Sequence, residues 1–251
     1  MNSVLLTMHL LTVVATYNEI QSLPKLVQQL NHVLPNQSIL VIDDNSPDGT
    51  GKWCDEFVKS NEHFEVIHRP EKSGLGSATL LGLHWAIEEG FDFVCTMDAD
   101  LSHDPDSIPA MLALIDTDKI NAPEVAIGSR YVQGGKIIGW PWYRRFTSML
   151  VNVYVRLVLR LPARDNSGAF RIYKTSALKK INLRNVESTG YAYLEEILWR
   201  LHAAKVKMIE HPIVFHDRIE GKSKANLSEI IGSFIQIMKM SVRRIKTKPK
   251  K

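Results

Sequence analysis

The sequence predicts an α/β fold, with a mainly parallel central sheet flanked by helices. Apolar runs at about residues 10–15, 38–43, 64–68 and 91–97 alternate with stretches of helical period near 22–34, 50–60, 77–89 and 106–116. The connections between them are short, which in a strand–helix alternation gives right-handed βαβ units and parallel strands. A third observation places the site. Two of the runs end in acid-rich turns, Ile39-Leu-Val-Ile-Asp43-Asp44-Asn-Ser-Pro-Asp48-Gly-Thr50 and Phe93-Val-Cys-Thr-Met-Asp98-Ala-Asp100-Leu-Ser102-His103. A short apolar run that closes on polar, turn-forming residues is the pattern of a buried parallel strand whose carboxyl end opens into a loop. In open α/β sheets, ligands bind beyond such ends.

Each element carries its own signal. The first strand runs into Ala15-Thr-Tyr17-Asn-Glu19, after which Leu23, Leu26, Val27 and Leu30 mark one face of a helix. The loop after Asp44 is ordinary turn chemistry, so Ser46, Pro47 and Asp48 are expected to be structural. Gly74 and Gly76 precede a third helix with Leu80, Leu83, Ala86 and Ile87 on one face, but no strand-turn GxGxxG exists and a nicotinamide-binding reading is weak. After Gly128-Ser-Arg130-Tyr131 the alternation breaks. On a helix spanning 141–161, Arg145, Asn152, Arg156 and Arg160 fall close to one stripe, and nearly everything else from Met149 to Leu161 is apolar. With Trp140, Trp142 and Tyr143 beside it, that pattern predicts a helix lying in a membrane interface. The alternative is a helix buried against the sheet with Arg stems reaching outward. A second amphipathic helix is expected over about 227–245.

The chain of 251 residues, 45% hydrophobic, has ample core for one large domain, and it shows no low-complexity linker or internal repeat. Residues 1–240 are expected to form that domain, with 135–165 as an interfacial helical segment and 241–251 as a basic tail. Cys54 and Cys95 fall within a helical and an apolar run, which suggests a reducing compartment and no disulfide scaffold. The N-terminus has no basic segment ahead of its apolar run, so no cleaved signal peptide is expected. No apolar run approaches the roughly 20 residues needed to span a bilayer. The net charge of +4 is unevenly placed: the tail from Ser241 holds six cations and no acid, leaving 25 cations against 27 acids before it. Such a tail is either a solvated end or a device for anionic lipid, worth about 1 kcal/mol per cation near the surface. It lacks interleaved aromatics and any recognition motif, which argues against nucleic acid.

Two carboxylates one residue apart at a strand end, Asp98 and Asp100, repel each other unless a cation or proton is shared. A hard divalent ion with oxygen ligands, carried in by a diphosphate, is the natural partner. Capping of the next helix is the competing role, for which Asp104 and Asp106 are better placed.

Six motifs in register then carry a resemblance: Ala15-Thr-Tyr17-Asn-Glu19, Val41-Ile-Asp43-Asp44-Asn-Ser-Pro-Asp-Gly-Thr50, Met97-Asp98-Ala-Asp100-Leu-Ser-His103, Ile127-Gly-Ser-Arg130-Tyr131, Asp165-Asn-Ser-Gly168-Ala-Phe-Arg171 and Asp217-Arg218-Ile-Glu-Gly-Lys-Ser223-Lys224. Over about residues 10–230 the chain resembles the dolichyl (polyprenyl) phosphate mannose synthases, a branch of the inverting family 2 glycosyltransferases, in their short form without C-terminal transmembrane helices. The resemblance implies a single GT-A domain and a Mg²⁺ or Mn²⁺ ion held by Asp98 and Asp100. Ser102 stands as a further metal candidate, where some relatives have Gln. The donor is implied to meet Ala15 (usually Pro in the family), Tyr17, Glu19, Ile42, Asp44, Ala99 and the two metal aspartates, with Arg130, Arg218 and Lys224 on its phosphate side. Tyr17 offers a ring to the purine, Glu19 an acceptor to base or ribose, and Asp44 an acceptor to the base. Glu19 has a simpler alternative, complementing the helix that follows.

The acceptor decides the reaction class. A sugar hydroxyl needs a general base, and a chain acting on one would be expected to show the Gln-x-x-Arg-Trp motif of processive relatives, which is absent here. A phosphate monoester, with a second pKa of about 6, is already a nucleophile at neutral pH. It needs cations instead, and Arg130, Arg144, Arg218 and Lys224 are placed to supply them. Glu195 and Glu196 could look like catalytic acids, but a solvated helix face explains them equally well, and no base is assigned. Asp100, Arg130 and Arg144 are the expected catalytic residues. The reading is inverting transfer of mannose from GDP-mannose to a dolichyl or polyprenyl phosphate, at the cytoplasmic face of a membrane and with an anchoring partner protein conceivable. The alternatives are UDP-glucose with the same acceptor, another family 2 transfer, or a catalytically silent nucleotide-sugar or lipid-binding subunit.

Overall fold

The computed structural model describes residues 9–117, 119–188, 190–217 and 227–246. The chain runs β1 (Leu10–Thr16), α1 (Leu23–Val33), β2 (Ser38–Asp43), α2 (Thr50–Val58), β3 (Phe64–His68), α3 (Leu75–Glu88), β4 (Phe93–Asp98), α4 (Ile108–Ile115) and β5 (Val125–Ser129). It continues with β6 (Lys136–Ile138), α5 (Trp142–Leu159), β7 (Arg171–Lys174), α6 (Thr175–Leu178), α7 (Tyr193–Ala203), β8 (Met208–Pro212), β9 (Val214–His216) and α8 (Leu227–Lys246). The expected strands and helices of the first half are all present within a few residues.

Seven strands form one sheet in the order β3-β2-β1-β4-β7-β5-β8, and a parallel β6–β9 pair stands apart. Every pairing in the large sheet is parallel except those of β7, which runs against both β4 and β5. The chain steps outward from β1 through β2 to β3, then returns to place β4 on the other side of β1. That reversal opens a crevice at the carboxyl ends of β1, β2 and β4, where both acidic turns lie.

The alternation of side chains along each strand feeds two cores. Leu11, Val13, Leu40 and Ile42 face α3, α5 and α7, together with Ala86, Val155 and Leu198. Leu10, Val14, Ile39 and Val41 face α1, α2 and α4, with Leu26, Cys54 and Met111. Both cysteines are buried and unpaired. Burial raises the thiol of Cys54 to about 12 and that of Cys95 further still, so neither is a nucleophile.

One expectation about the second half changes. Asn152 does not belong to an outward polar stripe on α5. It is buried, donates to Ser148 O and Ser167 Oγ at 3.0 Å each, and accepts from the Asn166 N–H at 2.6 Å. The inward face of α5 is therefore Asn152, Val155 and Leu159, while Trp142, Phe146, Met149, Val153 and Leu157 stand exposed. On α8, which packs against α5 and α7, Ile235, Met238 and Val242 are exposed in the same way. Among the described residues no helix is long and apolar enough to cross a membrane. Arg218, Lys224 and the tail beyond Lys246 lie outside the described residues.

The approach of α3 to β1 is close enough to test. A Cβ on Gly82 would sit 2.3 Å from Val13 Cγ1. Gly82→Ala is expected to destabilise the fold by about 1–3 kcal/mol, from forced displacement of packed atoms, measurable as a lowered urea midpoint at unchanged slope.

Candidate active site

Four strands deliver their last residues to one edge. At the end of β2 the two aspartates divide their work. Asp43 is buried and holds the loop, accepting from Thr16 Oγ1 (3.1 Å), Ser46 N (3.1 Å) and Ser46 Oγ (2.5 Å). Asp48 does likewise for Thr50 and Ile20, so the structural reading of Ser46 and Asp48 holds. Asp44, expected to meet the base, is ion-paired through the Arg69 guanidinium, which also donates to Ser77 Oγ and Gly74 O. Tyr17 presents its ring to the Lys72 ammonium 4.3 Å from the centroid. Glu19 Oε2 accepts from Ser22 Oγ at 2.7 Å, and the Glu19 backbone N–H binds Thr50 Oγ1. Ala15 is half-buried at the strand end. Two predicted donor contacts move inside: the Ile42 side chain is fully buried in the core under α3, and the Ala99 methyl is buried in the opposite core. A strand end alternates faces, so one neighbour of every outward residue points inward.

Beyond β4 the chain turns sharply. Leu101 adopts φ +62°, a left-handed conformation costly for a residue with a branched side chain, directly after Asp100. The Ser102 N–H donates to Asp100 Oδ1 at 3.1 Å. Asp98 is half-buried, and its backbone N–H donates to Nδ1 of His103 at 3.3 Å. His103 lies between the rings of Phe170 and Phe215, and burial lowers its pKa to about 4, so it stays neutral. An ion that arrives with a diphosphate brings phosphate oxygens and needs only one or two protein carboxylates. Asp98 and Asp100 provide two, and Ser102 Oγ, buried with no hydrogen-bond partner among the described residues, is a further oxygen beside them. Among the described residues no group of three His, Cys, Asp or Glu could cage a metal. The set fits a substrate-borne ion.

The cationic side is built on one buried pair. Arg130, just past β5, donates from Nε and Nη2 to the two oxygens of Asp165 at 2.7 Å each, and its backbone N–H adds a third bond at 3.0 Å. Nη2 also reaches Ser167 Oγ at 3.0 Å. Burial by itself would raise the Asp165 carboxyl, but the Arg130 charge and its hydrogen bonds outweigh that and hold it below its usual value. Trp140 joins Arg130 to Arg144, with the guanidinium carbons 5.7 and 4.0 Å from its ring centroid. Asp217 Oδ1 accepts from both Trp140 Nε1 and Arg144 Nη1 at 3.1 Å. Asp98, Arg130 and Arg144 all line one cleft of about 720 Å³, with Ser148 and Ser167 among its polar wall.

Of the two readings left open for Glu195 and Glu196, the solvated face fails, because both are buried. Glu196 Oε1 takes the Arg200 guanidinium at 2.8 and 2.6 Å, and Oε2 takes the Glu187 and Ser188 N–H groups. Glu195 lines the cleft, and burial raises its pKa to about 7. Asp165, Ser148, Ser167, Arg69 and Glu195 are the site residues the sequence reading left out. Asp165 stood inside a recognised motif, whereas Arg69 follows β3 with no local signal.

The architecture and this edge define a class. The glycosyl transferase family 2 model matches residues 12–182, and the chain belongs to that family. Among curated proteins it is 38% identical over 217 residues to an undecaprenyl-phosphate mannosyltransferase of Micrococcus luteus, covering 86% of this chain and 87% of that one. It is 37% identical over 238 residues to a polyprenol monophosphomannose synthase of Mycolicibacterium smegmatis, covering 94% and 88%. Among solved structures, glucosyl-3-phosphoglycerate synthase of Mycobacterium tuberculosis with Mn²⁺, UDP and phosphoglyceric acid superposes with a TM-score of 0.66 at 13% identity, over 98% of this chain and 81% of that one. TarS residues 1–349 of S. aureus gives 0.59 at 17% identity, over 97% and 67%. These two share the fold.

Two outcomes check the site. Asp165→Ala strands a buried guanidinium and is expected to cost about 3–5 kcal/mol of stability in chemical denaturation. Glu195 acts in the opposite sense: its folded pKa of about 7 exceeds the ordinary 4.5. Below pH 4.5 the carboxyl is protonated in both states; as pH rises through about 7 the unfolded chain ionises first and the fold loses about 3 kcal/mol. Glu195→Gln is therefore expected to unfold at higher temperature than the parent at pH 8, with the gap closing toward pH 4.5.

Proposed function

We propose that the chain transfers a mannosyl unit from GDP-mannose to a polyprenyl phosphate, with inversion at the anomeric carbon, on the cytoplasmic face of a membrane. One observation carries the reading. The cleft that gathers Asp98, Arg130 and Arg144 has an apolar remainder, Leu150, Val151, Tyr154, Phe234 and Ile237. Tyr154 and Phe234 are shared with a groove of about 570 Å³ along α5 and α8, walled also by Ile235, Met238 and Val242. A cationic floor that opens into a greasy groove suits an amphiphile with a phosphate head. The two curated relatives, an undecaprenyl-phosphate mannosyltransferase and a polyprenol monophosphomannose synthase, support the same substrate.

In this mechanism the acceptor phosphate, largely dianionic at neutral pH, is drawn to Arg130 and Arg144 and aimed by the Ser148 and Ser167 hydroxyls. One of its oxygens attacks the anomeric carbon as the bond to the donor's β-phosphate oxygen breaks. No proton moves, so no side-chain base is required. Asp98 and Asp100, with Ser102, would hold the divalent ion accompanying the donor, which supplies neutralisation of the leaving diphosphate. Arg130 retains its charge beside Asp165, because burial is outweighed by the carboxylate and its hydrogen bonds. Tyr17, Glu19 and Asp44 are proposed for the nucleoside, Asp44 through a pair it shares with Arg69. Arg218 and Lys224 are proposed for the diphosphate.

A panel of labelled nucleotide sugars offered with polyprenyl phosphate, with and without chelator, tests the reading: GDP-mannose should be used and chelator should stop it, while exclusive use of UDP-glucose would replace the donor. Asp100→Asn keeps volume and removes a negative ligand, so it should fold normally and lose at least about 100-fold in turnover. Membrane contact has its own test. Trp142→Ala with Leu157→Ser should reduce co-sedimentation with anionic vesicles, and the binding that remains should weaken in high salt.

A further inference from the structure

Glu195 is a buried carboxyl of the cleft that neither the fold nor the reaction above employs. Its neighbour Glu196 is spent on Arg200 and two backbone N–H groups. Glu195, 3% exposed on the first turn of α7, lines the cleft with Asp98, Arg130 and Gly168, and its Oε2 has no hydrogen-bond partner among the described residues. Arg171 is the fully buried cation nearby; its Nη atoms donate to the carbonyls of Leu194 and Asn166 and to Tyr173 Oη, and its Nε has no hydrogen-bond partner among the described residues, so it does not donate to Glu195. The fold thus leaves an acceptor oxygen undonated in the cleft wall.

The chemistry narrows what can donate to it. An acceptor phosphate is an anion, repelled by a carboxylate and drawn instead to Arg130 and Arg144. A base is not needed when the nucleophile is already ionised. A donor's metal belongs to Asp98 and Asp100. The remaining component of the reaction is the sugar ring, which must lie between the diphosphate at Asp98 and the acceptor phosphate at Arg130, both on the wall Glu195 shares. Its hydroxyls are neutral donors, and a carboxyl is their strongest common acceptor. We propose that Glu195 accepts a hydrogen bond from a hydroxyl of the transferred sugar and so takes part in selecting the hexose. This rests on the proposed reaction and deepens it, since a site built around one hydroxyl discriminates against donors lacking it.

The test is steady-state kinetics of the full chain with GDP-mannose and its 2-, 3-, 4- and 6-deoxy analogues, polyprenyl phosphate and Mn²⁺, comparing the parent with Glu195→Gln and Glu195→Leu. The parent should lose about 10- to 100-fold in kcat/KM on one deoxy donor. Glu195→Leu should lose a similar factor on GDP-mannose yet almost nothing more on that same deoxy donor, because the two changes remove one contact. Binding of GDP without sugar, by calorimetry, should stay within about two-fold in both variants. Should the leucine variant fail to fold, Glu195→Ala carries the comparison, because it too removes the acceptor, whereas a glutamine oxygen would still accept. Losses that multiply independently for every deoxy donor, or GDP binding that falls as far as turnover, would overturn the role of Glu195 while leaving the reaction standing. No turnover of GDP-mannose by the parent would overturn the reaction itself, and this inference with it.

Discussion

The buried Arg130–Asp165 pair is the constraint on which the site depends. It joins the end of β5 to the loop before β7, two places separated by 35 residues in the chain. Asp165 is itself fixed, since its backbone N–H and that of Arg164 donate to Glu210 on β8. Ser167 and Asn152 extend the network to α5, so the helix that bears the apolar groove is registered against the sheet by the same cluster. A charge taken out of water costs several kcal/mol unless paired and hydrogen-bonded; two parallel bonds and a third from the backbone meet that demand. The bonds to Asp165 and Ser167 run from Nε and Nη2 of Arg130, and the residue lines the cleft.

The reversed strand β7 is what makes the pair possible. A wholly parallel sheet would need another crossover helix at this position. The chain instead leaves β5, lays down α5 over one face and comes back antiparallel between β4 and β5, carrying Asp165 to the edge where the parallel strands already deliver Asp98 and Arg130. The polar edge and the exposed apolar flank of α5 are consequently products of one excursion.

Particular residues show where the sequence was readable. Strands and helices through α4 announce themselves because each is buried on a fixed periodicity, and the acid-rich turns mark the polar edge of the sheet without any knowledge of packing. Arg130 was also visible, as a motif member, and Arg144 as a cation beside the aromatic cluster. Their partners were less so: the Arg69–Asp44 pair spans two loops, and no local pattern forecasts it. Ile42 and Ala99 sit inside because facing is set by strand alternation at single-residue resolution. A solvated face stayed open for Glu195 and Glu196 because glutamates are almost never fully buried unless paired; here α8 and the turn over Gly190–Ala192 cover that turn of α7, a consequence of tertiary packing alone.

The central claim is that cations position an acceptor that is already ionised, so that no base takes part. Its most direct measurement is transfer of labelled mannose to a polyprenyl phosphate compared with the same prenol lacking phosphate, under identical detergent and metal conditions. The account predicts a labelled glycolipid from the phosphate and none from the free alcohol; efficient transfer to the alcohol would contradict it.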